Sequence, residues 1–214
     1  MYGHVKTLAE AELKGIKEAG GTADLYQIEE TLPQEVLSKM HAPGQDNGVT
    51  ILSDPKTLEQ YDAFLFGIPT RYGNFPAQWK SFWDKTGGQW QSGAYWGKYG
   101  GVFISTGTQG GGQESTALAA MSTFAHHGII YVPLGYKTTF QLLAGLDNVR
   151  GGSPWGAGTF AVRPGSDRLS YNYADSITGS HRRPPAHRGG APARHPPGQG
   201  LLRGCRKGSP VTRW

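Results

Sequence analysis

An open, mostly parallel α/β sheet is the architecture expected of this 214-residue chain, and three features point to it. Short apolar runs alternate with segments of helical spacing along most of its length. One such run, Gly101-Val102-Phe103-Ile104, leads into Ser105-Thr-Gly-Thr-Gln-Gly-Gly-Gly-Gln113 and then into a helical segment. Strand, glycine-rich loop and helix, in that order, wrap a backbone around an anionic or aromatic ligand. Glycine permits close approach and positive φ, so several N–H groups can converge on one molecule. The third feature is Ala63–Ile68, a strong buried strand ended by Pro69. The loop after it, Pro69–Asn74, and the Ser105–Gly112 loop both lie beyond the carboxyl ends of strands, where ligands bind in such sheets.

Each element has a local reason. Residues 5–18 place Val5, Leu8, Leu13 and Ile16 at roughly helical spacing, and Gly20-Gly21 ends the helix. Ala23–Ile28 alternates weakly and reads as a strand. Residues 31–50 are polar, with a short helical patch at Gln34–Met40. Pro76 suits a first helical position, and Trp79, Phe82 and Trp83 follow at i, i+3 and i+4, a pattern typical of a core-facing helix. Thr86–Tyr99 reads as a loop whose Trp90, Tyr95 and Trp96 either wall a pocket for flat molecules or pack at a subunit interface. The helix over 113–127 sets Leu118, Met121 and Ala125 on one face and is capped by Gly128. Ile129–Leu134 forms a last strand.

Composition narrows the chemistry. The Ser105–Gly112 loop carries no Lys, Arg, Asp or Glu, so its donors are backbone amides and the hydroxyls of Ser105, Thr106 and Thr108. That favours a flat, hydrogen-bonding cofactor over a triphosphate, which normally wants a lysine and a metal. Asp84, Glu114 and Asp147 are too scattered for a carboxylate pair, and no metal site is expected. Cys205 is the only cysteine, which rules out an intrachain disulfide. No apolar run approaches a membrane span and no signal-peptide pattern opens the chain, so a cytoplasmic location is expected.

The net charge of +5 divides unevenly. Residues 1–160 hold 11 Lys and Arg against 14 Asp and Glu, whereas 161–214 hold 10 against 2. The sequence therefore reads as a domain over 1–160 and a basic Pro/Gly/Arg-rich tail over 161–214, expected to be disordered. The tail lacks interleaved aromatics, so no nucleic-acid partner is expected; its charge is compatible with peripheral attraction to acidic membrane surfaces.

Six ordered motifs now stand out: Tyr2-Gly3-His4, Pro69-Thr70-Arg71-Tyr72-Gly73-Asn74, Thr86-Gly87-Gly88-Gln89-Trp90, Ser105 to Glu114, Ala125-His126-His127-Gly128 and Val149-Arg150-Gly151-Gly152-Ser153-Pro154. Together they resemble the WrbA-type flavodoxin-like NAD(P)H:quinone oxidoreductases, most closely the fungal members, over roughly residues 1–160. The resemblance implies a flavodoxin-like sheet of order 2-1-3-4-5 with helices on both faces. It implies bound FMN, two-electron quinone reduction by NADH or NADPH with ping-pong hydride transfer, and a homotetramer whose sites are completed by neighbouring subunits. It assigns Met1, Tyr2, Gly3, His4 and Val5 to the phosphate-binding turn, and Thr70, Arg71 and Tyr72 to the isoalloxazine edge. Ser105, Thr106, Gly107, Thr108, Gln109 and Gly110 fall under the pyrimidine side of the ring, with Gln109 similar to an insertion. His126 is the catalytic candidate beside the flavin, and Trp90 the aromatic of the substrate pocket. Fungal members are also known as allergens.

The departures shape the expectation. The family carries an apolar strand ahead of Met-Tyr-Gly-His, and this chain begins at that Met, so the first strand is expected to be missing and Ala23–Ile28 to lack a neighbour. An acidic, alanine-rich helix closes the family domain, where this chain continues with the basic tail. Two other readings therefore stand beside the reductase: a flavodoxin-like scaffold or stress protein with little or no reductase activity, and an inactive fragment. Taken without the resemblance, His126 reads equally as a helix-terminal histidine favoured by the dipole, Arg71 as a loop arginine, and His127 as structural.

Overall fold

The computed structural model describes residues 2–147 and 149–161. Met1 and the tail from residue 162, with the expectations attached to them, lie outside the described residues. The chain opens with helix α1 (His4–Glu18), then strand β1 (Tyr26–Ile28), α2 (Gln34–Lys39), β2 (Thr50–Leu52), a 3-10 helix (Pro55–Gln60) and β3 (Ala63–Pro69). It continues through α3 (Ala77–Asp84), α4 (Gly87–Ser92), β4 (Tyr99–Thr106), α5 (Gln113–His127), β5 (Ile130–Tyr131), α6 (Phe140–Ala144) and β6 (Ala157–Phe160).

All strand pairs are parallel. β3 and β4 run side by side from Ala63–Tyr99 to Pro69–Ser105. β5 pairs with Tyr99 and Gly100, and β6 with Phe103 to Thr106. β5 and β6 therefore share the β4 edge that β3 leaves free, one at each end. β1 and β2 form a second, two-stranded parallel sheet. The described strands thus form two parallel sheets, β1-β2 and β3-β4 with β5 and β6 on the other edge of β4, and among the described residues no strand joins them. The expectation that Ala23–Ile28 would lack a neighbour is corrected: Tyr26, Gln27 and Ile28 pair with Thr50, Ile51 and Leu52. The polar run 31–50 ends in a short extended segment whose backbone supplies those partners. Gln27 braces the pair by donating to Asp46 O and Val49 O, both at 2.6 Å.

Helices cover both faces. On one, Phe66, Ile68, Val102 and Ile104 pack against Trp79, Phe82 and Trp83 of α3 and Ala117, Ala120 and Phe124 of α5. On the other, Leu8 of α1 packs against Phe103 and Ala157. Burial of these apolar side chains is the main stabilising term. The rings on the first face interlock, with Phe66 5.0 Å from Phe124 and 5.7 Å from Trp79 between centroids.

Three further expectations are corrected. Thr86–Tyr99 is not all loop: Gly87–Ser92 is helical and ends at Gly93, whose φ of 69° gives the left-handed cap only glycine adopts easily. In α5 the buried face is Thr116, Ala117, Ala120, Phe124 and His127, whereas Leu118 is exposed. The small side chains win because a helix lying close on a sheet favours small contacts. The last strand is shorter than 129–134. Val132 N–H still reaches Gly100 O at 2.8 Å, but Pro133 has no N–H to continue the ladder, and β6 pairs with the rest of that edge.

Candidate functional site

Three segments meet at the carboxyl ends of β3 and β4. The first is the start of α1. Val5 lies over β3 so closely that a Cβ on Gly67 would fall 2.7 Å from its Cγ1. Gly3 caps α1 with φ 85° and no side-chain bond, and the N–H groups of His4, Val5 and Lys6 have no partner among the described residues. Tyr2 is held aside by its hydroxyl, which donates to Met40 O at 2.9 Å.

The second segment, Thr70–Asn74, is a tight turn closed by two bonds between Arg71 and Asn74 (Arg71 N–H to Asn74 O, 2.9 Å; Asn74 N–H to Arg71 O, 3.0 Å). Tyr72 sits at its tip with φ 53° and its ring wholly in solvent, at 106 % relative exposure. A tyrosine in the left-handed region costs free energy that the surrounding turn must offset, and such residues cluster at functional sites.

The third is the glycine loop. Ser105 and Thr106 are buried at the end of β4, whereas Gly107, Thr108, Gln109 and Gly110 are exposed. The N–H groups of these four bond to nothing among the described residues. Thr106 Oγ1 donates to Thr108 O (2.8 Å), which arches the loop. Gly112 starts α5 with φ 99° and, again, no side-chain cap. Two uncapped helix starts, with their partial positive charge, and a row of free N–H groups therefore face one edge.

The second and third segments are latched by a contact the sequence did not single out. Gly73 N–H donates to Thr70 Oγ1 (3.1 Å), Thr70 and Thr116 hydroxyls are 2.7 Å apart, and Thr116 Oγ1 donates to Gly112 O (2.6 Å). Each hydroxyl has one proton, so the bonds run in one direction, from Gly73 through Thr70 and Thr116 to Gly112. A Cβ on Gly112 would lie 3.3 Å from Gly73 Cα, so the two backbones touch. In the sequence Thr116 is an ordinary helical threonine; only its i+4 position from Gly112 hints at this role.

His126 and Trp90 are not brought to this edge. α5 starts at the glycine loop and His126 is at its far end, a span of about 20 Å at 1.5 Å per residue. Its side chain is exposed there. Trp90 on α4 (59 % exposed) and Trp96 (77 %) flank the same far end, where Gly97 N–H bonds Gly128 O at 2.9 Å. Tyr95, by contrast, is fully buried and donates to Pro55 O at 2.7 Å, so it walls no open pocket.

His127 is structural, as expected. Thr86 Oγ1 spends its proton on Trp83 O (2.7 Å), so at 2.9 Å from His127 Nε2 it must accept. That assigns the Nε2–H tautomer and leaves Nδ1 buried without a partner. Burial, and then the charge of His126, push the His127 pKa below its ordinary value.

The site residues suit a planar, polar cofactor carrying an anionic group: free N–H donors, two helix starts, an exposed tyrosine ring, and no acidic side chain within the loop. Among the described residues no group of His, Cys, Asp and Glu is placed to hold a metal. No helix among them is long and apolar enough to cross a membrane.

The sequence profile of the NADPH-dependent FMN reductases matches residues 3–139. Minor allergen Alt a 7 of Alternaria alternata is 69 % identical over 170 residues, covering 79 % of this chain and 83 % of the relative. NAD(P)H quinone oxidoreductase PST1 of Candida albicans is 58 % identical over 170 residues, covering 79 % and 84 %. Among solved structures, the WrbA-like flavodoxin protein of Agrobacterium tumefaciens is 26 % identical, with a TM-score of 0.45 and coverage of 64 % of this chain and 73 % of that one.

Proposed function

The chain belongs to the NADPH-dependent FMN reductase family, and we propose that it is an FMN-dependent NAD(P)H:quinone oxidoreductase. The observation that carries this reading is the convergence of α1, the Thr70–Asn74 turn and the Ser105–Gly112 loop, with unpaired N–H groups, on one sheet edge. The relatives named for quinone reduction favour the same substrate class.

Bound there, FMN would supply the hydride chemistry, taking two electrons from NADH or NADPH and passing them to a quinone. The chain's own residues bind and orient. The helix start at Gly3–Val5 takes the phosphate through its N–H groups. Thr70, Arg71 and Tyr72 would hold the ring system, with Tyr72 offering a face for stacking. The unpaired amides of Gly107–Gly110 would donate to the cofactor and stabilise negative charge developing on it. His126 would hydrogen-bond a quinone oxygen, and Trp90 would stack on the quinone. Both reach the edge only from a second copy of the chain, so the active unit is an oligomer, a tetramer by the family resemblance. The protein works in the cytoplasm in this reading.

The test is a titration of the purified chain with FMN, followed by flavin fluorescence, and then a quinone-reduction assay with NADH and NADPH. Quenching at micromolar FMN with quinone turnover supports the proposal. No binding at 1,000-fold higher FMN refutes it (about 4 kcal/mol short of a micromolar site). Binding without turnover favours the scaffold reading.

A further inference from the structure

We infer that Gln113 is a positioning residue for the cofactor loop: its carboxamide joins the Ser105–Gly112 loop to strand β6 and to the Arg150–Pro154 turn. The inference rests on the flavin reading of that loop and names a residue outside the binding segments. Gln113 is the first residue of α5. Its Nε2 donates to Thr159 O at 3.0 Å and to Thr106 Oγ1 at 3.3 Å, while its Oε1 accepts from Gly152 N–H at 2.7 Å. Both amide hydrogens and the carbonyl are used. The partners fix the orientation: turned over, the amide would set N–H against the Gly152 N–H and oxygen against Thr159 O.

The amide sits in a slot that the sequence keeps open. A Cβ on Gly158 would lie 2.4 Å from Gln113 Oε1 and 2.5 Å from Gly152 N, and one on Gly151 would lie 2.5 Å from Gly158 C. Turn and strand are thus in direct backbone contact, and the side chain spans both. Thr106 carries the connection onward by donating to Thr108 O, in the exposed part of the loop. A continuous path of hydrogen bonds runs from Gly152 through Gln113 and Thr106 to Thr108. The Val149–Pro154 motif, unused by the proposed chemistry, acquires a role as the anchor that holds the loop's amides in one arrangement. Preorganised donors bind and stabilise charge better than donors that must be ordered at the moment of binding.

The partners Thr159, Thr106 and Gly152 do not titrate, so a pH dependence that appears with a carboxyl at 113, and is absent with a leucine there, comes from that carboxyl. Gln113→Glu keeps the acceptor for Gly152 but, ionised, loses both donors and faces Thr159 O with a negative charge. Protonated, it regains one donor. Gln113→Leu loses all three bonds at every pH. We would measure FMN affinity of wild type, Gln113→Glu and Gln113→Leu at pH 8 and pH 5, each referred to wild type at the same pH. Expected for Gln113→Glu is a loss of about tenfold or more at pH 8 that narrows clearly at pH 5, and for Gln113→Leu a loss that does not narrow. Amide hydrogen exchange without FMN gives a second readout: in Gln113→Leu, the peptide spanning 150–153, whose Gly152 N–H loses its acceptor, exchanges faster while 63–69 is unchanged. Wild-type affinity in Gln113→Glu at both pH values, or exchange that is unchanged or rises equally in 63–69, overturns the assignment while leaving the flavin reading intact. A wild-type chain that binds no FMN overturns both.

Discussion

Replacing Thr116 by valine keeps the volume of a side chain that is 1 % exposed and removes a single hydroxyl from the latch between the two loops. No cavity opens, so the effect is that of the hydrogen bonds alone. Gly112 O is not orphaned, because Thr116 N–H (3.0 Å) and Ser115 Oγ (3.2 Å) still donate to it. The Thr70 hydroxyl, part-buried, loses its acceptor. The cost is therefore at the lower end of the range for a buried donor left unmade, about 1–2 kcal/mol, or roughly a 5- to 30-fold fall in the folding constant. Thr70→Val strands the Gly73 N–H instead and costs about 1–3 kcal/mol. Since both substitutions cut the same one-directional path, the double variant loses less than the sum, by at least about 0.5 kcal/mol. Urea denaturation of the three variants at constant m-value measures this. FMN affinity should fall in each, because the latch holds Gly73 and the strained Tyr72 beside it. If the effects add to within about 0.3 kcal/mol, or Thr116→Val is neutral, the latch does not exist as described.

Gly158→Ala should destabilise the protein by about 1–3 kcal/mol through overpacking, since its Cβ meets Gln113 Oε1 at 2.4 Å; an unchanged melting temperature would count against the packed slot. His127 ties stability to pH. Its folded pKa is pushed below the ordinary 6.5, so its contribution is complete above about pH 6.5. As pH falls below that value the unfolded chain takes up a proton that the folded one resists, and stability declines toward the folded pKa. Melting curves at pH 7.5 and 5.5 should show a drop in wild type that is reduced in His127→Gln; an equal drop in both would refute the assignment. Because His126 lies about 20 Å from the glycine loop in one chain, specific quinone-reductase activity should fall on dilution from micromolar to nanomolar protein as oligomers dissociate. A specific activity that holds constant while sedimentation shows a monomer would refute the two-copy site.

Much of this protein is decided within short stretches of chain. Val5 and Leu8 on α1, Trp79, Phe82 and Trp83 on α3, and the apolar run 63–68 announce their elements, because helix and strand periodicity is set by neighbours a few residues away. The glycine loop and the Pro69 turn were legible for the same reason: glycine and proline limit φ wherever they occur. What the local sequence could not decide is which edges and faces find each other. β1 takes β2 as its neighbour, β5 and β6 divide one edge of β4, and α5 buries Ala117 and Ala120 rather than Leu118, all through contacts distant in sequence. The two polar residues that organise the site, Thr116 and Gln113, were silent for that reason, since a threonine or glutamine declares its role only through the atoms that face it. The distance of His126 from the glycine loop follows from the length of α5, which the sequence already predicts. That the α4 region closes on the same end of that helix is tertiary, set by Thr86 against His127 and Gly97 N–H against Gly128 O, contacts between residues far apart in the chain.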